Sequence, residues 1–419
     1  MRFPHPPSGP FLPEEEGKHQ HAVRYHRRMN REALPLITLK TERRSNHPWI
    51  FQKMVEKPDP KPRPGTIVDI VDREGQFAGR GFYNGHSRIS LRVLTMNPDE
   101  PVDEAFFARR IGAAIALRRD QLKLDAVTDA YRLVHSEGDG LSGLVVDRFA
   151  NTIVVEYFSA GMFKQRDLIK RCLLEHYPEA DFYAFAEDHV QKQESFDCAI
   201  PASPPPTVIH EHGVQFHAAP GTKHKTGFFA DQRDNRKYLA TFCAGKRVLD
   251  LCCNSGGFGI YAKTIGGADE VTGVDLDEEI LEIAAKNAYL NKVKVRFVQA
   301  DIFHWLRDAA ANHAKQFDVV ILDPAKMTRD REQVIPALKK YLDMNKLALG
   351  AVKPGGIFLT CSCTGLVSEE QFLDMLRRAA FYANRTVQVL KISGAGPDHP
   401  FLANVPESRY LKAVFCRVE

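Results

Sequence analysis

Val248-Leu249-Asp250-Leu251-Cys252-Cys253-Asn254-Ser255-Gly256-Gly257-Phe258-Gly259 decides the fold of this chain. A short apolar run ends in an acid, passes through small residues and glycines, and opens into a helical pattern. This reads as a strand, a tight turn and a helix. Glycine suits such a turn because a Cβ would keep a ligand off the backbone, and the helix that follows offers N–H groups with no partner inside the helix. Asp250, Asn254, Ser255, Gly256, Gly257 and Phe258 are therefore candidate cofactor-binding residues.

A second strand, Glu270-Val271-Thr272-Gly273-Val274-Asp275, follows about one helix later and also ends in an acid. That spacing suits a carboxylate that grips ribose hydroxyls, which makes Asp275 the expected acceptor. Asp277 is the weaker choice. Asp301, after Gln299-Ala300, stands at the end of a third strand, where it can cap the next helix. Val319-Val320-Ile321-Leu322-Asp323-Pro324-Ala325-Lys326 ends a fourth strand in an acid and a stiff turn, and Phe358-Leu359-Thr360-Cys361-Ser362-Cys363-Thr364-Gly365 carries two cysteines. From about residue 207, strands and helices alternate to Tyr382, and Val387–Leu390 and Leu411–Cys416 close the sheet as an antiparallel pair. The expected class is α/β, with a doubly wound parallel sheet.

The chain has 419 residues, enough for two or three domains, with ordinary hydrophobic (44%) and charged (26%) fractions. No apolar run is long enough to span a bilayer, and the N-terminus lacks a secretory apolar core. The eight cysteines follow no disulfide or zinc spacing, so they read as reduced thiols in a cytoplasmic setting, with no metal expected. Cys243, Cys252 and Cys253 read as core or near-core residues. Net charge is only +4, but arginines gather in the first third, among them Arg43, Arg44, Arg80 and Arg88. These four are candidate RNA-binding residues, against the plainer reading of a solvated surface.

Four segments are expected. Residues 1–34, rich in Pro, His and charge, form an extension. Residues 35–97 read as short strands (Ile67–Val71, Gln76–Tyr83, Ile89–Leu94) in a small barrel. Residues 98–206 mix helix, over Phe106 to Leu122, with strand, and close on the Pro201 to Pro206 linker; residues 207–419 carry the alternating sheet.

The order of these motifs resembles a known family. The glycine turn, the strand-terminal acids, Asp323-Pro324-Ala325-Lys326 and the cysteine strand look like a class I S-adenosylmethionine-dependent methyltransferase. Residues 43–51 together with Gly65 and Gly79-Arg80-Gly81-Phe82-Tyr83 resemble a PUA domain, an RNA-binding barrel. With Ser136-Glu137-Gly138-Asp139-Gly140-Leu141-Ser142-Gly143 and residues 225–236, the chain resembles the RlmI-type bacterial large-subunit ribosomal RNA (cytosine-C5)-methyltransferases from about Leu36 to its end. The resemblance implies an S-adenosylmethionine cofactor, a ribosomal RNA partner and 5-methylcytosine as product, with the oligomeric state open to a homodimer. It implies that Asp301 contacts the adenine of the cofactor and that Lys225–Arg233 cover the cofactor, with Phe228 against it and Arg233 reaching a carboxylate or phosphate. Ala325 departs from the family's second proline.

Carbon 5 of cytosine is a poor nucleophile. A thiolate that adds to carbon 6 makes carbon 5 enamine-like, so it can take a methyl group. Cys363 matches the family's cysteine, while a related cytosine methyltransferase pattern favours Cys361. Strand periodicity puts both on one face. Asp323 and Lys326 are the expected neighbours of the base. Three other readings stand: methylation of an exocyclic amine, which needs no thiol; methylation of a protein or small molecule; and a non-catalytic RNA-binding assembly factor that keeps the fold.

Overall fold

The computed structural model describes residues 33–419 except 44, 200, 221–226 and 313–314. The extension over residues 1–34 lies outside them up to residue 32, as do Arg44 and the Lys225-Thr226 pair. The described residues form two compact units, divided between Val102 and Asp103.

In the first unit, β1 (Leu36–Thr38), β2 (Trp49–Phe51), β3 (Thr66–Val71), β4 (Phe77–Tyr83) and β5 (Ile89–Thr95) form a sheet in the order β1-β3-β4-β5-β2. β1 and β3 run parallel and the other pairs antiparallel. The chain past β1 then meets the chain past β2. Lys40 N–H donates to the Met54 carbonyl at 2.9 Å and Glu56 N–H to the Thr38 carbonyl at 3.0 Å, which closes the sheet into the expected barrel. Ile37, Leu39, Ile50, Val68, Ile70, Leu91 and Val93 fill it. Gly81 lets β4 and β5 cross closely, since a Cβ there would fall 2.0 Å from the Arg92 carbonyl oxygen.

The second unit opens with a helix over Glu104–Ala116, capped by the Asp103 carboxylate on the Phe106 N–H at 3.1 Å and prolonged by a wider turn over Leu117–Gln121. Next come β6 (Ala130–His135), β7 (Leu144–Phe149), β8 (Thr152–Tyr157) and β9 (Asp181–Phe185), paired in that order, then the hairpin β10 (Thr207–Glu211) and β11 (Val214–Ala218). The last sheet holds β12 (Arg247–Leu251), β13 (Glu270–Asp275), β14 (Arg296–Gln299), β15 (Phe317–Leu322), β16 (Val352–Ser362), β17 (Val387–Ser393) and β18 (Lys412–Val418). Its order is β14-β13-β12-β15-β16-β18-β17, parallel except for β18, which runs against both its neighbours.

Period-2 alternation divides the apolar strands between two cores. Val320, Leu322 and Phe358 face one layer, while Val319, Ile321, Leu359 and Cys361 face the other. Because helices cover both faces, the strands read as unbroken apolar runs. The strand order reverses between β12 and β15. The crevice at their carboxyl ends is where sheets of this kind bind ligands. Among the described residues, no helix is long and apolar enough to cross a membrane.

Candidate functional site

The turn after β12 is held in an unusual backbone shape. Cys252, Asn254 and Gly256 all have positive φ (57°, 47° and 83°), which costs free energy at the two non-glycine positions. Gly256 is required twice over, since a Cβ would also meet Ile260 Cδ1 at 3.0 Å and the Phe297 ring at 3.3 Å. Neighbouring side chains brace the turn. Asp275 Oδ2 accepts the Asn254 N–H at 2.9 Å, and its Oδ1 accepts the Asp277 N–H at 3.1 Å. Asn287 Nδ2 donates to the Ser255 carbonyl at 3.0 Å.

Asp250 sits beneath this turn, 1% exposed. Its Oδ2 accepts the Gly259 N–H at 2.9 Å, while its Oδ1 is buried with no hydrogen-bond partner. Burial pushes this carboxyl up to about 8; the Gly259 hydrogen bond works against that, and the nearby Asp323 and Asp275 charges add to it. Asp323 directly follows β15 and accepts Gln232 Nε2 at 2.9 Å. Asp301 accepts the N–H groups of Phe303 (2.9 Å) and His304 (3.1 Å), so it caps the helix over Ile302–Asn312. Asp277 likewise caps the helix over Glu278–Leu290.

β16 stops at Ser362, whose register partner is Lys412. Cys361 is the last cysteine inside the strand and is fully buried; Cys363 lies past the end and is partly open. The two are thus not neighbours on one strand face, because the ladder ends between them. The Thr364 N–H turns back to Ser362 Oγ at 3.3 Å, and the Thr364 carbonyl is taken by Lys412 Nζ at 2.7 Å. Burial drives the Cys361 thiol well above its usual range; the Asp323 charge adds to this, and a hydrogen bond from Gln232 opposes it. Thr364 Oγ1 accepts the Met327 N–H at 3.1 Å and meets Tyr341 Oη at 2.9 Å; Ser362 Oγ donates to the same Tyr341 oxygen at 3.0 Å. These bonds clip the Cys363 loop to the loop that carries Asp323 and exposed Lys326.

Sequence reasoning passed over several of these groups. Gln232 joins Asp323 to Cys361 and is itself held through its Oε1 by Asn235 Nδ2 at 2.7 Å. Its only signal was its place in the Asp231-Gln232-Arg233 run. Lys412 and Tyr341 are far from the motifs in sequence, and nothing marked them. Leu276, directly after Asp275, is 66% exposed at the ligand edge of the sheet. An isolated leucine between two acids, left in solvent there, was a legible signal.

Other expectations are corrected. Phe228 is buried against Phe216, with ring centroids 5.2 Å apart, and lies under the Arg236 guanidinium, so its ring belongs to a core rather than to an open cofactor surface. Phe258 also packs in the core, with Val248 and Val319. Arg233 reaches a carboxylate, but an internal one: it pairs with Asp398 at 2.8 Å, with both side chains buried. Of the basic residues near the barrel, Arg80 is buried and paired with Asp69 at 2.6 Å. Arg43 binds the Ser45, His47 and Ala78 carbonyls, and burial pushes it down to about 10. Arg118 is wholly buried on Asp139. An arginine that braces its own fold in this way directs its guanidinium inward rather than toward phosphate. Arg88 is exposed. None of the eight cysteines forms a disulfide. Among the described residues, no three His, Cys, Asp or Glu side chains are grouped to hold a metal ion.

Comparison with known proteins bears on both units. Residues 40–96 match the PUA-like domain family, and residues 243–406 match a family described as a methyltransferase domain. A protein named ribosomal RNA large subunit methyltransferase I from Aeromonas hydrophila subsp. hydrophila is 40% identical over 380 residues, covering 88% of this chain and 95% of that protein. The protein of the same name from Escherichia coli strain K12 is 38% identical over 380 residues, 89% of this chain and 95% of that one. Among solved structures, a Streptococcus mutans chain proposed to be a SAM-dependent methyltransferase has a TM-score of 0.75 at 18% identity, covering 92% of this chain and all (100%) of that one. Another, complexed with SAH, reaches a TM-score of 0.78 at 19% identity over 92% of this chain and 100% of the other. At such identities the likeness is one of fold.

Proposed function

Since the chain belongs to the ribosomal RNA large subunit methyltransferase I family, we propose that it methylates carbon 5 of a cytosine in large-subunit ribosomal RNA, with Cys363 as the thiol that adds to carbon 6. S-adenosylmethionine is the methyl donor and, when bound, supplies an electrophilic methyl group on a sulfonium. The observation that carries the cytosine reading is the placement of Cys363. It is a partly open thiol one residue past β16, clipped through Thr364 to the Asp323 loop.

The crevice fits a cationic ligand that carries hydroxyls. Asp250, Asp275, Asp301 and Asp323 place carboxyl groups at or just past the ends of neighbouring strands. The buried Oδ1 of Asp250 lacks a donor, so a nearby positive charge would favour its ionised form. Asp275 uses one acceptor site on each oxygen for the turn, and a carboxylate has about four, so its remaining sites are free to hold ribose hydroxyls. Leu276 would be covered by a flat apolar ring. Asn254, Ser255, Gly256 and Gly257 supply backbone at the turn, and Asp301 caps its helix through Oδ1.

Cys363 as thiolate forms a bond to carbon 6. Carbon 5 then takes the methyl group, a base removes the carbon 5 proton, and the electron pair returns to the ring as the thiolate leaves. Asp323 and Lys326 stand beside a base turned out of its stack, Asp323 as hydrogen-bond partner. Cys361, buried and disfavoured as thiolate, is a packing residue in this reading. Arg88 is the candidate phosphate contact on the barrel, and the division of labour follows residues 35–97 for RNA, 98–206 as a connecting α+β segment and 207–419 for transfer. Free thiols throughout the chain fit a reducing compartment such as the cytoplasm.

Bisulfite sequencing of large-subunit ribosomal RNA tests the reading: one cytosine should resist conversion only when the protein is present. Methylation that appears instead on an exocyclic amine would replace it. Asp275→Ala is expected to weaken S-adenosylmethionine binding by roughly 1.5–3 kcal/mol, the scale of a lost charge-assisted hydrogen bond. Calorimetry that finds unchanged affinity in the folded variant removes Asp275 from the site.

A further inference from the structure

Lys412, the first residue of β18, is 2% exposed. A lysine is seldom buried without something to compensate its charge. Here Nζ donates to the carbonyls of Thr364 (2.7 Å), Val367 (2.8 Å) and Tyr410 (2.9 Å), which uses all three ammonium protons. Thr364 and Val367 lie on the loop between β16 and the helix over Glu369–Tyr382, and that loop begins with Cys363. The acceptors are carbonyl dipoles rather than a carboxylate. A neutral donor would tie such a loop with a smaller desolvation cost, so the retained charge needs a further reason.

Cys363 supplies one. The groups that face Lys412 are Cys363 and Glu369, which favour its proton, and Arg409 and Lys326, which oppose it. Burial outweighs the favourable pair and pushes the amine down to about 8. Cys361 and the Tyr341 hydroxyl also interact electrostatically with Cys363. Resting on the thiol reading above, we propose that Lys412 is a positioning residue of the reaction: its ammonium fixes the Cys363 loop at the end of β16 and stabilises the Cys363 thiolate. An opposite charge within a few ångström lowers a thiol's pKa, and reactive cysteines sit in such electropositive settings.

The test follows alkylation of Cys363 by iodoacetamide in the full-length protein, from about pH 6 to pH 10, with the labelled peptide read by mass spectrometry. In Lys412→Gln, which keeps an amide donor without the charge, the midpoint should rise by about one unit, the lower end of the effect of a nearby opposite charge. The pH profile of kcat should move the same way while KM for RNA holds. Lys412→Arg should restore the wild-type midpoint. An unmoved midpoint in folded Lys412→Gln overturns the proposal, as does Lys412→Arg behaving like Lys412→Gln. Should Lys412→Gln fail to fold, Lys412→Arg decides alone: a midpoint raised by about a unit overturns the proposal, and one at or below wild type upholds it. Cys363→Ala separates the two readings. If that variant still methylates RNA, the thiol reading fails and takes this one with it. If it is inactive while the midpoint ignores Lys412, only the Lys412 proposal falls.

Discussion

A Cys363→Ala protein is expected to lose methylation by about 10⁴-fold or more, the scale on which removal of a covalent nucleophile acts. It should also fail to form a stable adduct with RNA that carries 5-fluorocytosine, because fluorine cannot leave as a proton does and the thiol bond to carbon 6 would otherwise persist. Cys361→Ala should keep both properties. Its thiol is fully buried, and burial with the nearby Asp323 charge drives it well above the usual thiol range, so little thiolate forms near neutral pH. Removing one sulfur from that core exchanges a small buried group for a smaller one, with a modest loss of stability. Denaturing gels of the trapped complex and methyl transfer to unmodified RNA give the two readouts. Trapping that persists without Cys363 and vanishes without Cys361 would exchange their roles. Methylation that survives in both variants would leave amine methylation as the better account.

Asp398→Ala is expected to destabilise the second unit by about 3–5 kcal/mol, the cost of leaving one member of a buried ion pair alone. Asp398 pairs with Arg233 at 2.8 Å, and the two side chains are 0% and 1% exposed. It is also a junction. Its Oδ2 accepts the Arg132 N–H at 3.1 Å, and its carbonyl accepts Arg118 Nη2 at 2.7 Å. Arg118 in turn holds Asp139 at 2.6 Å, so residues 118–139 are joined to the segment before β12 and to the loop before β18. Burial acts to raise the Asp398 carboxyl, but His399 and Arg233 outweigh it and hold the group well below the usual carboxylate range. The sign follows from that direction. An unfolded aspartate binds its proton near pH 3.9 while the folded one does not, so stability is fully present above that pH and drains away as pH falls below it. Acid titration of the wild type against Asp398→Asn, followed by denaturant unfolding at each pH, should show the two curves converging below about pH 4. A constant gap across that range would mean that Asp398 is not the group responsible.

The glycine turn, the acids at strand ends and the alternation of strand and helix are all legible in the sequence. These are local signals: a positive-φ turn needs Gly256, a strand buried on both faces needs an apolar run such as Val319–Leu322, and a strand-terminal acid advertises itself by position. The barrel was legible for the same reason, through short strands and turns such as Asp72-Arg73-Glu74-Gly75. The relative standing of the two cysteines was not. Spacing of two residues implies one strand face only if the strand continues, and β16 ends at Ser362 because Thr364 gives its bonding groups to Ser362 Oγ and Lys412.

The sequence by itself determined the barrel, the parallel sheet with its antiparallel closing strands, and the carboxyl edge where the chemistry must lie, because hydrophobic period, turn residues and chain order suffice for these. Only the tertiary structure decided which charges face solvent and which are spent indoors. Arg80 and Arg233 read as surface or ligand-seeking cations in the chain but fold onto Asp69 and Asp398. Lys412, silent in the sequence, comes to hold the Thr364 carbonyl 48 positions earlier in the chain, next to Cys363. An ion pair between distant residues leaves no local period or spacing behind, so its partners appear only when packing brings them together and water is excluded from between them.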